Sequence, residues 1–324
     1  MTKTSIFFAI MFFLADICAA AQSDNIQLML LTGRSSKAHS WQATTKAVQQ
    51  HLADAGIFSV DTYTASPAGE PLDDFDPDWE AYDSIVMIYE GEEWPEAVQK
   101  KFEKYMKKGG GLVLVHAADN AFPQWREFNK MIGVGGWGSS DFHLPPLSLA
   151  DNPAKKDNRD ERWGPRVYWQ HGQAVRDASP GKASHPPRQQ FIVTVRDYSH
   201  PVTRGLPEMW LHMDDEIYSN LRGPAKNMHI LATAFANPAL GKPSPYNEPI
   251  IFTVRYGKGR VFHMTLGHVG RKQDHTVPAV NDVAFITLLQ RGAEWSATGE
   301  VTQAVPKDFP NVYKGALREP ATEK

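Results

Sequence analysis

His268 closes the block Gly257-Lys258-Gly259-Arg260-Val261-Phe262-His263-Met264-Thr265-Leu266-Gly267-His268, which reads as a tight turn, a buried strand and a polar tip. Three other apolar runs end in the same way. Residues 28–31 lead into a loop carrying His39 and Trp41, residues 84–89 lead into Glu90, Glu92, Glu93 and Trp94, and residues 112–115 run straight into His116. Imidazole titrates near neutral pH and is also a common metal ligand. His39, His116 and His268, set beside carboxylates, can therefore supply an acid and a base or hold a cation. In an open α/β sheet the carboxyl ends of the strands are where ligands bind, so tips of this composition point to one shared site.

Each group carries its own chemistry. His116 stands where a strand meets a turn with Ala117 and Ala118; the geometry is that of a nucleophile elbow without the serine or cysteine. His39-Ser40-Trp41 sets an indole beside polar groups, the combination of apolar face and hydrogen-bonding edge that stacks on a sugar ring, although Trp41 serves equally well as core. Trp94 and Trp125 are further candidate stacking faces. His212-Met213-Asp214-Asp215-Glu216-Ile217-Tyr218 concentrates acids. On an extended stretch His212, Asp214 and Glu216 share a face and form a cation-binding row, while Asp215 and Glu216 are candidate bases or ligands. His39, His116, Glu216 and His268 are the candidate metal ligands. Imidazole and oxygen without thiolate suits a divalent transition metal such as Zn, Mn or Ni without choosing among them. The glycine runs 109–111 and 133–138 do not follow a strand, so neither has the setting of a phosphate-binding loop. No Gly-x-Ser-x-Gly and no His-Glu-x-x-His is present.

The elements that must position these groups alternate. Strands are expected at 25–31, 57–63, 84–89 and 112–115, with helices at 41–55, capped by Ser40 and stopped by Gly56, and at 95–108, with Pro at its first turn, Val98, Phe102, Tyr105 and Met106 on one face, and Gly109 beyond it. Buried strands alternating with helices imply βαβ units, hence an α/β fold with a doubly wound, mostly parallel sheet, flavodoxin-like in kind. Residues 133–188 are rich in Gly, Pro, Trp and charge and read as a long irregular insertion or a cover over a site, carrying Trp137, His143, Trp163, Tyr168, Trp169 and His171. Strands at 191–195, 228–235, 249–255 and 260–266 follow, the last two as a C-terminal hairpin. A helix at 281–295 and a polar tail over 296–324 end the chain.

The 324 residues are 42% hydrophobic and 22% charged, with a formal net charge of −3. That balance is globular and offers no charge argument for nucleic acid or an anionic membrane. Residues 1–21 read as a signal peptide: Lys3 is the positive region, 6–14 a short apolar run, and Ala19-Ala20-Ala21 the cleavage site. Export is the expectation, with no membrane span once the leader is removed. Cys18 is the one cysteine and leaves with the leader, so the mature chain holds no thiolate nucleophile, ligand or disulfide.

Taken together, these segments resemble the trehalose-utilisation (ThuA-like) family of the class I glutamine amidotransferase-like superfamily. The resemblance rests on His39-Ser40-Trp41, Gly109-Gly110-Gly111-Leu112-Val113-Leu114-Val115-His116, Phe122-Pro123-Gln124-Trp125, Met131-Ile132-Gly133, His200-Pro201-Val202-Thr203-Arg204-Gly205-Leu206-Pro207, Asp215-Glu216-Ile217-Tyr218, Leu266-Gly267-His268 and Arg291-Gly292-Ala293-Glu294-Trp295, in order across 25–295. Ser35-Ser36-Lys37-Ala38 departs from it, standing in place of a more Asn-rich loop. The resemblance implies an amidotransferase-like fold and a role with sugars, in particular keto-sugar derivatives of disaccharides. Glutamine hydrolysis through an elbow cysteine is excluded by the chemistry of the chain. Three readings follow: a carbohydrate-active enzyme using His116, His268, Asp215 and Glu216, a non-catalytic sugar-binding protein, or a metal-dependent hydrolase. A small-molecule sugar is the expected partner, and a homo-oligomer is left open.

Overall fold

The computed structural model describes residues 25–137, 164–179, 182–241 and 243–320. The leader read at 1–21, and His143 and Trp163 of the insertion, lie outside them. Along the chain run β1 (Ile26–Thr32), α1 (Trp41–Asp54), β2 (Phe58–Thr64), β3 (Ser84–Met87), α2 (Glu96–Lys108), β4 (Gly111–Val115), α3 (Arg126–Ile132), β5 (Arg166–Gln170), β6 (Gln173–Asp177), β7 (Gln189–Val195), β8 (Met209–Asp215), β9 (Met228–Ala234), β10 (Glu248–Tyr256), β11 (Gly259–Met264), α4 (Pro278–Asn281) and α5 (Val283–Thr298).

One nine-stranded sheet has the order β2-β1-β3-β4-β11-β10-β9-β7-β8. Strands β2, β1, β3, β4 and β11 are parallel; β10, β9, β7 and β8 extend the sheet by antiparallel pairing. The α/β, doubly wound sheet of the sequence reading is present, and its parallel half carries the tips. The β10–β11 pair is the expected C-terminal hairpin. Its strand β11 returns into the parallel half beside β4, so Arg260 lies opposite Gly111 and Met264 opposite Val115.

Side-chain alternation builds the two faces. Leu28 and Leu30 join Val48 and Leu52 of α1 and Leu288 and Leu289 of α5 in one core; Met29 and Leu31 join Val98, Phe102 and Met106 of α2 and Phe128 of α3 in the other. Strands covered on both faces must be apolar at every position, and β3 and β4 are buried throughout. Ser40 caps α1 by accepting from the Ala43 N–H, as its sequence position predicts. Helix α2 begins after Pro95, has Lys107 and Lys108 in its last turn, and stops at Gly109, whose φ of +125° suits glycine.

Four expectations change. Residues 212–215 of the acidic run lie in a strand not among those expected: β8 forms the sheet edge and ends at Asp215, with Glu216 just beyond it. The insertion at 133–188 is not irregular throughout: among the described residues it holds the β5–β6 hairpin. The last helix is two, because Asp282 leaves helical geometry and caps α5 by accepting from the Ala284 and Phe285 N–H groups. The segment after α5 packs back on the domain: the Leu211 N–H donates to the Asn311 carbonyl, the Val283 N–H to that of Ala316, and Phe309 meets Trp210.

Candidate metal centre at the strand tips

His116 follows β4 directly and has φ +46°, a left-handed conformation uncommon for a residue with a side chain. The bend turns the imidazole across the top of β11, where its Nδ1–H donates to the Thr265 carbonyl at 2.7 Å. That bond leaves Nε2 with the lone pair. His268 arrives from the end of β11 through Gly267, whose φ is +108° and where a Cβ would stand 2.5 Å from Phe285, so only glycine fits this tip. Asp215 then fixes the tip from the side, accepting from the Gly267 N–H at 2.7 Å and the His268 N–H at 3.0 Å. The same carboxylate accepts from the Glu216 N–H at 2.8 Å. One buried anion thus sets the start of both the His268 and the Glu216 side chains.

His39 comes from the loop after β1. That loop is stitched to the segment after β11: the Ser40 N–H donates to the Val269 carbonyl and the Arg271 N–H to that of Ala38. Glu90, just after β3, holds the ring. One of its oxygens lies 2.9 Å from His39 Nδ1 and accepts from the Ser36 N–H; the other accepts from Asn120 at 3.2 Å. His39 is thereby left with Nε2 for another partner.

The three imidazoles converge. Ring centroids are 5.2 Å apart for His39 and His116, 5.2 Å for His39 and His268, and 5.1 Å for His116 and His268. His268 Nδ1 lies 3.1 Å from His116 Nε2 and 3.2 Å from a Glu216 oxygen, which is itself 3.6 Å from His116 Nε2. One ligand atom from each of His39, His116, Glu216 and His268 falls within 4.8 Å of all the others, a spacing that one cation can bridge. Orienting bonds on the far nitrogens of His39 and His116, from a carboxylate and a backbone carbonyl, are the usual support of metal-binding imidazoles.

The electrostatics agree with that use. Burial, helped by the nearby His268 and His39, pushes the His116 pKa down to about 3 and keeps the ring neutral. Burial also opposes a charge on His39, but the hydrogen bond and charge of Glu90, with Glu216 and Asp119 further off, outweigh it and raise its pKa. For Glu216, burial is outweighed by the His268 hydrogen bond and by its histidine neighbours, and the carboxylate stays ionised.

The other candidates fall elsewhere. Asp215 is fully buried behind the tips and holds them, so the expectation of a base that meets substrate is corrected to a positioning role. The proposed cation row also fails: His212 is sealed between Asp215 and Asp282, Asp214 points outward near Arg188, and Glu216 alone reaches the cluster. Trp94 and Trp125 offer no stacking face. Trp94 packs on Trp79, Phe102, Phe122 and Trp125 inside the core, and Trp125 donates its indole N–H to Glu103. Trp41 is half-buried and lines an open groove of about 550 Å3 with His39, Gln42, Lys37 and Arg271. A narrower pocket leads from His39 and Trp41 to His116 and Gly267.

Several supporting residues escaped the sequence reading. Tyr218, two residues beyond Glu216, puts its hydroxyl 3.1 Å from His116 Nε2. His185 Nδ1 lies 3.4 Å from the second Glu216 oxygen, on a segment pinned by mutual Ser184–Ser219 backbone hydrogen bonds. Asn120 links Glu90 to this group, and a Cβ at Gly136 would collide with its side-chain oxygen. Gly136 of the glycine run therefore serves close packing against Asn120. The Asp-Glu-Ile-Tyr segment was the one available signal for Tyr218; His185 sits in a stretch without periodicity.

A family model described as trehalose utilisation, ThuA, matches residues 27–296. The chain belongs to the ThuA family. A solved ThuA-like protein from Parabacteroides merdae is 38% identical, with a TM-score of 0.81 over 93% of this chain and 100% of that one. A ThuA-like protein from Bacteroides uniformis is 17% identical, with a TM-score of 0.53 over 90% and 97%, a likeness of fold alone. No curated protein matches the chain. Among the described residues no helix is long and apolar enough to cross a membrane.

Proposed function

We propose that this ThuA-family chain is an exported, metal-dependent enzyme of hydrolase or lyase type acting on a sugar or keto-sugar. The observation that carries the reading is the convergence of His39, His116, Glu216 and His268 ligand atoms within 4.8 Å at the sheet's carboxyl edge. Three imidazoles and one carboxylate suit a divalent transition ion, and the far-side bonds to Thr265 and Glu90 hold two of the rings ready for it. Such an ion polarises a carbonyl or hydroxyl oxygen and lowers the pKa of bound water. Trp41 on the adjoining groove gives a sugar ring an apolar face beside polar groups. The trehalose-utilisation description of the family supports a sugar as substrate, and the leader read at 1–21 supports export.

The test is a screen of disaccharides and their keto derivatives, with products followed by mass spectrometry. Turnover should disappear in chelator, return with Zn, Mn or Ni, and be lost in His116→Ala and His268→Ala. Full turnover by metal-free protein, or by both variants, would defeat the reading.

A further inference from the structure

The Tyr218 hydroxyl sits on the wrong side of His116 for a structural clamp. His116 already has its orienting bond, on Nδ1, from the Thr265 carbonyl at 2.7 Å. Tyr218 instead lies 3.1 Å from Nε2, the nitrogen aimed at His268 and Glu216. A phenol there competes for the lone pair that a metal needs. Its position is nonetheless fixed: the ring is buried and packs at 4.5 Å between centroids on the His116 ring. The one hydroxyl proton is given to His116 Nε2 for as long as that nitrogen keeps its lone pair. Once a metal takes His116 Nε2, that proton must find another acceptor within the same few ångströms.

We propose that Tyr218 is a hydrogen-bond donor to the exogenous ligand of the metal, the oxygen of a sugar or of water, and so stabilises negative charge that gathers on it. This rests on the metal centre proposed above. The arrangement is that of an oxyanion donor: an O–H fixed beforehand by burial and by packing on the His116 ring, beside the place where charge develops. His39 and His268 cannot take this role while serving as ligands, and Glu216 is an anion. Among the described residues close to the cluster, Tyr218 brings its hydroxyl to His116 Nε2, on the metal side.

The test uses the full mature chain loaded with Co(II), with azide as the probe ligand, read by the visible absorption of the metal. Elemental analysis gives cobalt per chain in the wild type and in Tyr218→Phe, which keeps the ring and removes only the hydroxyl; far-ultraviolet circular dichroism checks the fold. We expect one cobalt per chain in both, and azide binding about tenfold or more weaker in the variant, the loss of a hydrogen bond to a charged group. Stoichiometric cobalt in both with unchanged azide affinity would overturn the role of Tyr218 and leave the metal centre standing. A folded Tyr218→Phe that no longer holds cobalt would overturn it also, making Tyr218 a support for the ligands. A wild type that takes up no cobalt would remove the centre itself, and this inference with it.

Discussion

Asp215→Asn removes a buried anion on which four donors converge: the N–H groups of Glu216 at 2.8 Å, Gly267 at 2.7 Å and His268 at 3.0 Å, and His212 Nε2 at 3.0 Å. One oxygen serves Glu216 and His268, the other serves His212 and Gly267. An asparagine keeps one oxygen, so whichever way its amide turns, two of the four donors face an NH2 group. His212 suffers most. Burial opposes its charge, but Asp282 and Asp215 together raise its pKa to about 10. Asp282 Oδ1 lies 3.3 Å from His212 Nδ1, but that contact is ionic only, without hydrogen-bond geometry. Breaking a buried pair by removing one partner costs roughly 3–5 kcal/mol, which for a chain of this size lowers Tm by roughly 10 °C.

The pH dependence has a definite sign. The His212 pKa is raised from 6.5, so its contribution is complete below that value and fades as pH rises toward 10. For Asp215, burial is outweighed by His212 and by the Gly267 N–H, and its pKa falls from 3.8 to about 2. Its contribution is present above 3.8 and is lost as pH falls toward 2. The gap in Tm between wild type and Asp215→Asn should therefore be widest near pH 4–6.5 and close toward both extremes. Thermal unfolding followed by circular dichroism across that range reads it. A variant within 1 °C of the wild type throughout, or a gap that does not vary with pH, would refute the buried ion pair as the device that holds the tips.

Glu90→Gln should leave the fold intact, loosen His39, and weaken metal binding about 10- to 100-fold, the usual cost of losing an orienting carboxylate; competition with a chromogenic chelator measures it. Gly267→Ala forces a Cβ toward Phe285 and strains a φ of +108°, so we expect a comparable loss of metal with a smaller loss of Tm than Asp215→Asn, and a fully loaded variant would show that the tip can shift without harm. Trp94→Ala should cost about 3–5 kcal/mol of stability, as for other buried aromatic residues. Trp41→Ala should barely move Tm but weaken sugar binding by calorimetry, and the reverse pattern for these two tryptophans would contradict their placement.

The parallel half of the fold was legible because its strands are covered on both faces, which forces continuous apolar runs between Gly, Pro and capping residues; β1, β3, β4 and β11 all carry that mark. Strand β8 was not, since its buried positions include His212 and Asp215, polar groups satisfied by partners far along the chain. The same long range limits the site. Residue type and strand tips pointed to His39, His116, Glu216 and His268, but His116 and His268 lie 152 residues apart and nothing local states that they touch. Trp94 and Trp125 misled because an indole beside glutamates looks like a sugar platform; α2 and the segment before α3 close over both. Asp215 reads as a base by type, and becomes a support through Gly267 and His268, 52 and 53 residues away.

Elemental analysis of the purified chain by inductively coupled plasma mass spectrometry, alongside His116→Ala and His268→Ala, bears most directly on the metal centre. We expect about one divalent transition ion per wild-type chain after exposure to Zn, Mn or Ni, and little or none in either folded variant. An ion content that is the same in all three proteins, or a wild type that takes up none of these ions, would contradict a centre built from His39, His116, Glu216 and His268.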